Sequence, residues 1–106
     1  MRFRLSLLAT LLMALAASSA MAQDAATTLH IRGLAATCAN CHGTDGRTKE
    51  GSAIPSLAGM PRDYMITQMK AFKDGTRPAT VMHQLSKGFT DAQIASVATY
   101  FAAQKR

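Results

Sequence analysis

Tryptophan is absent from this 106-residue chain, and aromatic side chains of any kind make up only 6% of it. Behind the apolar N-terminal stretch there remain Phe72, Phe89, Phe101, Tyr64 and Tyr100. So small a domain struggles to bury enough apolar surface by itself and often relies on a disulfide, a metal or a cofactor. Cysteine is scarce too. A bond between Cys38 and Cys41 would close a tiny loop and restrict the unfolded chain little. A structural zinc site usually takes four protein ligands, and two cysteines, three histidines and no second C-x-x-C supply them poorly. No stretch sustains the apolar–polar alternation of a strand, so the chain reads as all-α and offers no βαβ context for a thioredoxin-like dithiol. No run of basic residues exists to hold nucleic acid.

The N-terminus, MRFRLSLLATLLMALAASSAMAQ, has the anatomy of an export signal. Arg2 and Arg4 form the positive region, and Leu5 to Ala17 the apolar run, too short to span a bilayer comfortably. Small residues follow at Ala20 and Ala22. Residues 1–22 are therefore expected to be a signal peptide cleaved after Ala22, leaving one domain, 23–106, in the periplasm without a stable membrane span. Of 12 basic residues, 10 remain after cleavage against 6 acidic ones, a formal +4. That balance suits an acidic protein partner, an anionic surface or a plain solvated exterior.

Helices are expected at Ala25 to Thr37, at Pro61 to Asp74 with Gly75 as its stop, and briefly at Met82 to Ser86. A Gly-rich loop runs from Gly43 to Met60. The final helix has the clearest pattern. Thr90 and Gln93 form a capping box, and Ile94, Val97, Ala98 and Phe101 make a buried stripe. Lys105 and Arg106 are expected at its C-terminal end.

The stretch CANCH, Cys38 to His42, carries the chemistry. C-x-x-C-H is the attachment pattern of a c-type haem. Two thiols one helical turn apart match the two vinyl groups, and the histidine that follows lies where it can bind the iron. Export strengthens the pattern, because haem is attached outside the cytoplasm. A haem also answers the shortage of core, as a large flat body on which short helices pack. Zinc and a bare dithiol are the weaker readings.

An electron carrier needs a ligand opposite His42. Met60 ends the Gly-rich loop, and Met65 and Met69 share a helix face, which usually means core packing. Met82 follows a loop 40 residues after His42, far enough to wrap around, and is the expected ligand. His83 is its rival; otherwise His83 and His30 are ordinary packing or surface histidines. Ligation by His and Met gives a higher potential than ligation by two histidines. Pro55, with its fixed φ, is expected to aim a backbone carbonyl at His42, or else only to stiffen a turn. Tyr64, Met69 and Phe72 are expected to wall the pocket. Arg77 is a candidate for a haem propionate and equally a surface arginine. Lys49, Lys73 and Lys87 are candidates for guiding a partner and equally solvated.

RGLAATCANCHGTDG, IPSLAGMPRDYMITQMKAFKDGTRP and VMHQLSKGFTDAQIASVATYFAAQ together resemble a class I bacterial cytochrome c from Gly33 to Gln104. The resemblance implies about four short helices around one covalent haem c, with His42 and Met82 on the iron and the Pro55 carbonyl behind His42. It implies that the first helix packs on the last, with Gly33 near Ala98 and Phe101. SLAGM, FKDG, VM and TYF are most similar to the cytochrome subunit of flavocytochrome c sulfide dehydrogenase and to the halves of dihaem cytochromes. A chain with one CxxCH departs from the dihaem pattern. The implied role is single-electron transfer rather than catalysis, either accepting electrons from a flavoprotein sulfide dehydrogenase subunit or serving as an independent carrier to a terminal oxidase. A haem peroxidase or ligand sensor needs an open iron position, and Met82 argues against it.

Overall fold

The computed structural model describes residues 2–106, without the side chains of residues 2–11 and 15–17. Every regular element among the described residues is helical: α1 (Arg2–Ala36), α2 (Ala39–His42), α3 (Arg62–Asp74), α4 (Met82–Leu85) and α5 (Asp91–Ala102), with 3-10 turns at Thr44–Gly46 and Ser86–Gly88. The chain divides into two compact units, 1–30 and 31–106.

The first unit is helix throughout its described length. No glycine or proline interrupts residues 2–32, and the stretch is rich in Ala, Leu and Met, strong helix formers. Leu12, Met13, Met21 and Leu29 are exposed on it. Most of the apolar run expected of a signal peptide lies outside the described side chains. The helix expected to begin at Ala25 is thus the end of a longer one. Among the described residues no helix is long and apolar enough to cross a membrane.

In the second unit, α3 packs against α5 and against the short α4. Its core joins Ala35, Met65, Val97, Ala98 and Phe101, with Leu34, Cys38, Leu57 and Met60 partly buried against them. The last turn of α1 shares a core with α5, but not through the residue expected. Gly33 is exposed, and a Cβ built on it would meet nothing within 4 Å. Ala35, at 3% exposure, joins the core cluster that contains Val97, Ala98 and Phe101. The close backbone approach belongs to Gly46. At φ +77° a Cβ there would stand 2.8 Å from Phe101 Cδ1 and 2.9 Å from Leu57 Cβ.

Helix ends follow local chemistry. Both bonds of the capping box form: Gln93 N–H donates to Thr90 Oγ1 at 3.2 Å and Thr90 N–H to Gln93 Oε1 at 2.9 Å. Pro61 precedes α3 rather than entering it, and Gly75 ends it in the left-handed region. Lys105 and Arg106 lie beyond the end of α5 at Ala102. They tie the tail to loops instead: Arg47 Nε donates to the Lys105 carbonyl at 2.8 Å, and Arg106 Nη2 to that of Gly59 at 3.2 Å.

Candidate functional site

Thr37 and Cys38 break α1. Their amides close tight turns onto Leu34 and Ala35, and α2 starts at once. The amides of Cys41 and His42 both return to the Cys38 carbonyl, at 3.3 and 2.9 Å, so the two thiols and the imidazole lie on a single helical turn. Both cysteines are free, Cys38 half-buried and Cys41 exposed. Burial pushes the Cys38 thiol up from its ordinary pKa, against a smaller opposing effect of the Thr37 hydroxyl. Gly43, at φ +78°, turns the chain where a Cβ would fall 1.8 Å from the Arg47 carbonyl oxygen.

The loop that follows is folded around one acceptor. The Gly46 carbonyl receives the Ser56 hydroxyl at 2.7 Å and the amides of Leu57 and Ala58 at 2.8 and 3.1 Å. Gly59 N–H then donates to the Phe101 carbonyl at 2.9 Å, fixing the far end of the loop on α5. Held this way, Pro55 places its carbonyl oxygen 2.7 Å from His42 Nδ1. A carbonyl only accepts, so Nδ1 carries a proton, and Nε2 is the nitrogen left for another partner.

On the other side of the sequence, Tyr64, Gln68, Met69 and Phe72 follow helical spacing along α3, while Met65 turns into the core. Tyr64 is half exposed. Met69 meets Ser86, whose hydroxyl lies 3.7 Å from its sulfur. Phe72 lies beneath the Arg77 guanidinium, 4.6 Å from ring centroid to Cζ, and Arg77 also donates to Gln68 Oε1. Met82 opens α4, half-buried. His83, next to it, has a buried Nδ1 with no hydrogen-bond partner among the described residues. Lys73 is committed within the fold: its Nζ donates to the Phe89 carbonyl at 2.6 Å and pairs with Asp91 at 3.5 Å. Lys49 and Lys87 are exposed.

Three features escaped the sequence: the Gly46 hub, buried Ser86, and the tie from the Tyr100 hydroxyl to Asp45 Oδ1. Asp45 is held in a left-handed conformation at φ 54°. Bonded to Tyr100 and attracted by Arg47, its carboxyl sits below the usual carboxylate range, and the Tyr100 phenol is correspondingly raised. The turn-forming Thr44–Gly46 segment was a local signal, but nothing local names Tyr100 as its partner.

The cytochrome subunit of sulfide dehydrogenase from Chlorobaculum tepidum is 44% identical to this chain over 68 residues, 64% of this chain and 60% of that protein. Cytochrome c-554(548) of Halomonas halodenitrificans is 38% identical over 74 residues, 65% of this chain and 86% of its own length. A solved cytochrome c4 structure from Acidithiobacillus ferrooxidans superposes with a TM-score of 0.58 at 41% identity, covering 62% of this chain and 38% of that one. A family model described as cytochrome c matches residues 32–105, which span every element of the second unit and the CANCH turn, and the chain is therefore a class I member of the cytochrome c family, a carrier of electrons.

Proposed function

We propose that the chain is a periplasmic monohaem cytochrome, exported by residues 1–22 and cleaved after Ala22. It passes single electrons and makes no bonds of its own. Cys38 and Cys41 would hold the haem through thioethers, with His42 Nε2 and the Met82 sulfur on the iron. When bound, the haem supplies a one-electron iron(II)/iron(III) couple. The donor set suits it: two free thiols and an imidazole on one turn, with the other imidazole nitrogen already engaged. Ile54, Tyr64, Val81 and Leu85 leave large apolar surface exposed, in the loop, on α3 and around α4, beyond what the small core covers.

The observation that carries the proposal is the 2.7 Å contact from His42 Nδ1 to the Pro55 carbonyl. That bond fixes the ring orientation and leaves Nε2 as the atom that would ligate. Tyr64, Met69 and Phe72 would exclude water from the opposite side.

The donor proposed here is a flavoprotein subunit that oxidises sulfide, on the similarity to a sulfide dehydrogenase cytochrome subunit. A second reading, an independent carrier delivering electrons to a terminal oxidase or another respiratory partner, is favoured by the match over 86% of the length of cytochrome c-554(548). Spectra of the secreted protein test the site. Haem should remain with the chain after denaturing extraction, and the oxidised protein should show a weak band near about 700 nm from iron–methionine charge transfer. Met82→Ala should abolish that band, and its survival would remove Met82 from the iron. Purification from the native host separates the partners: a flavin-bearing chain in stable complex supports the first reading, a lone cytochrome the second.

A further inference from the structure

We infer that Ser86 is a positioning residue for Met82, its hydroxyl clamping the turn that presents the methionine sulfur. The inference rests on Met82 being the second iron ligand. Ser86 has 0% exposure and is the buried polar residue of the described chain. Its Oγ donates to the Met82 carbonyl at 2.6 Å and touches Met69 Sδ at 3.7 Å. One hydroxyl hydrogen serves one acceptor at a time, and a thioether accepts weakly, so the short carbonyl contact holds the proton. The Ser86 amide reaches the same carbonyl. Both hydrogen-bond donors of Ser86 therefore grip the backbone of residue 82.

That grip matters because α4 has only four residues, too few to persist by helix propagation. The N-terminal side of Met82 has backbone bonds but no side-chain cap. The Val81 carbonyl accepts the Gln84 and Leu85 amides at 2.9 and 3.1 Å, while Val81 itself has a non-helical backbone and half its surface exposed. The C-terminal side is anchored to α3, by Ser86 on Met69, by Lys73 on the Phe89 carbonyl and by Lys70 and Lys73 on Asp91. Ser86 is the only one of these anchors that touches residue 82 itself. Without its hydroxyl, the Lys70 and Lys73 ties would remain and the methionine turn would be released from them more often.

An added ligand that needs the methionine displaced reports that release, since its apparent affinity scales with the fraction of competent protein. The probe is imidazole, titrated into the ferric holoprotein at fixed pH and followed by the shift of the main haem absorption band, which every variant carries. Ser86→Ala should bind it about fivefold more tightly than the wild type, the value of one net hydrogen bond. Alanine is the better helix former, so the turn itself is retained. Thr90→Ala, which removes the cap of α5, should lower thermal stability and leave imidazole affinity at the wild-type value. In a Met82→Ala background, adding Ser86→Ala should change nothing, because no methionine remains to be held. Wild-type affinity in Ser86→Ala would overturn the inference. So would an equal gain in Thr90→Ala, or a fivefold gain that persists without Met82, since either would mean general loosening. A methionine band retained in Met82→Ala would instead strike the ligand assignment itself.

Discussion

Tyr100 shows how a single side chain joins distant parts of the sequence at the site. Its hydroxyl donates to Asp45, in the turn just after His42, and its ring packs edge-on against Phe101 at 5.3 Å between centroids. The bond favours ionised Asp45 and neutral Tyr100, so each pKa is displaced away from neutrality. A depressed carboxyl gives stability that is present above its unfolded pKa of about 4 and lost as pH falls through the lower folded value. A raised phenol gives stability that is present below about 10 and lost as pH rises through its folded value. Tyr100→Phe removes the phenol's contribution and the Tyr100 share of the carboxyl's, leaving that of Arg47, while keeping the ring. Melting temperatures should therefore differ most between wild type and Tyr100→Phe at neutral pH, and converge in acid below the ordinary carboxylate range. A gap that stays constant down to full protonation of Asp45 would mean that the hydroxyl contributes nothing through this bond.

Among the elements, those with local signals were readable and those built by long-range contact were not. Thr90 and Gln93 declare the start of α5 within four residues, and CANCH folds as the single turn its spacing suggests, because each partner lies within a turn of the other. Pro55 was legible through its rigidity, and its carbonyl stands at His42. The start of α1 was hidden, since the Ala, Leu and Met of residues 5–22 favour helix as strongly as the residues that follow. Gly33 misled for a related reason: a glycine suggests close packing, but which glycine touches α5 depends on where the chain bends. That glycine is Gly46, which combines a left-handed φ, contact with Phe101 and the carbonyl that folds the loop bearing Pro55. Gly46→Ala should cost about 1–3 kcal/mol from overpacking, more with the backbone strain added. Denaturant unfolding of the holoprotein measures that loss. Unchanged stability would mean that Phe101 and Leu57 yield freely, and that the loop is less tightly fixed than its bonds imply.

For the whole molecule the deciding quantity is how little apolar side chain the protein buries by itself. Ala35, Ala58, Met65, Ile94, Val97, Ala98 and Phe101 are the buried hydrophobic residues of the described chain, and three of the seven are alanines. Meanwhile Ile54, Tyr64, Val81 and Leu85 stand 41%, 50%, 52% and 52% exposed. Hydrophobic stabilisation scales with area removed from water, at roughly 25 cal/mol per Å². A core of small residues falls short of what ordering a chain of this size costs in conformational entropy. Loops held by hydrogen bonds, such as the Gly46 hub, add only about 0.5–1.5 kcal/mol each. On the proposed function, the haem held by Cys38 and Cys41 would supply much of the missing burial, so folding and attachment should be one event. The Cys38→Ala, Cys41→Ala double variant, freed of haem, should lose most of its cooperative thermal transition. Far-ultraviolet circular dichroism during heating measures this. A broad, low-temperature loss of helix is the expected trace; a sharp transition matching the holoprotein's would show that the side chains alone complete the core.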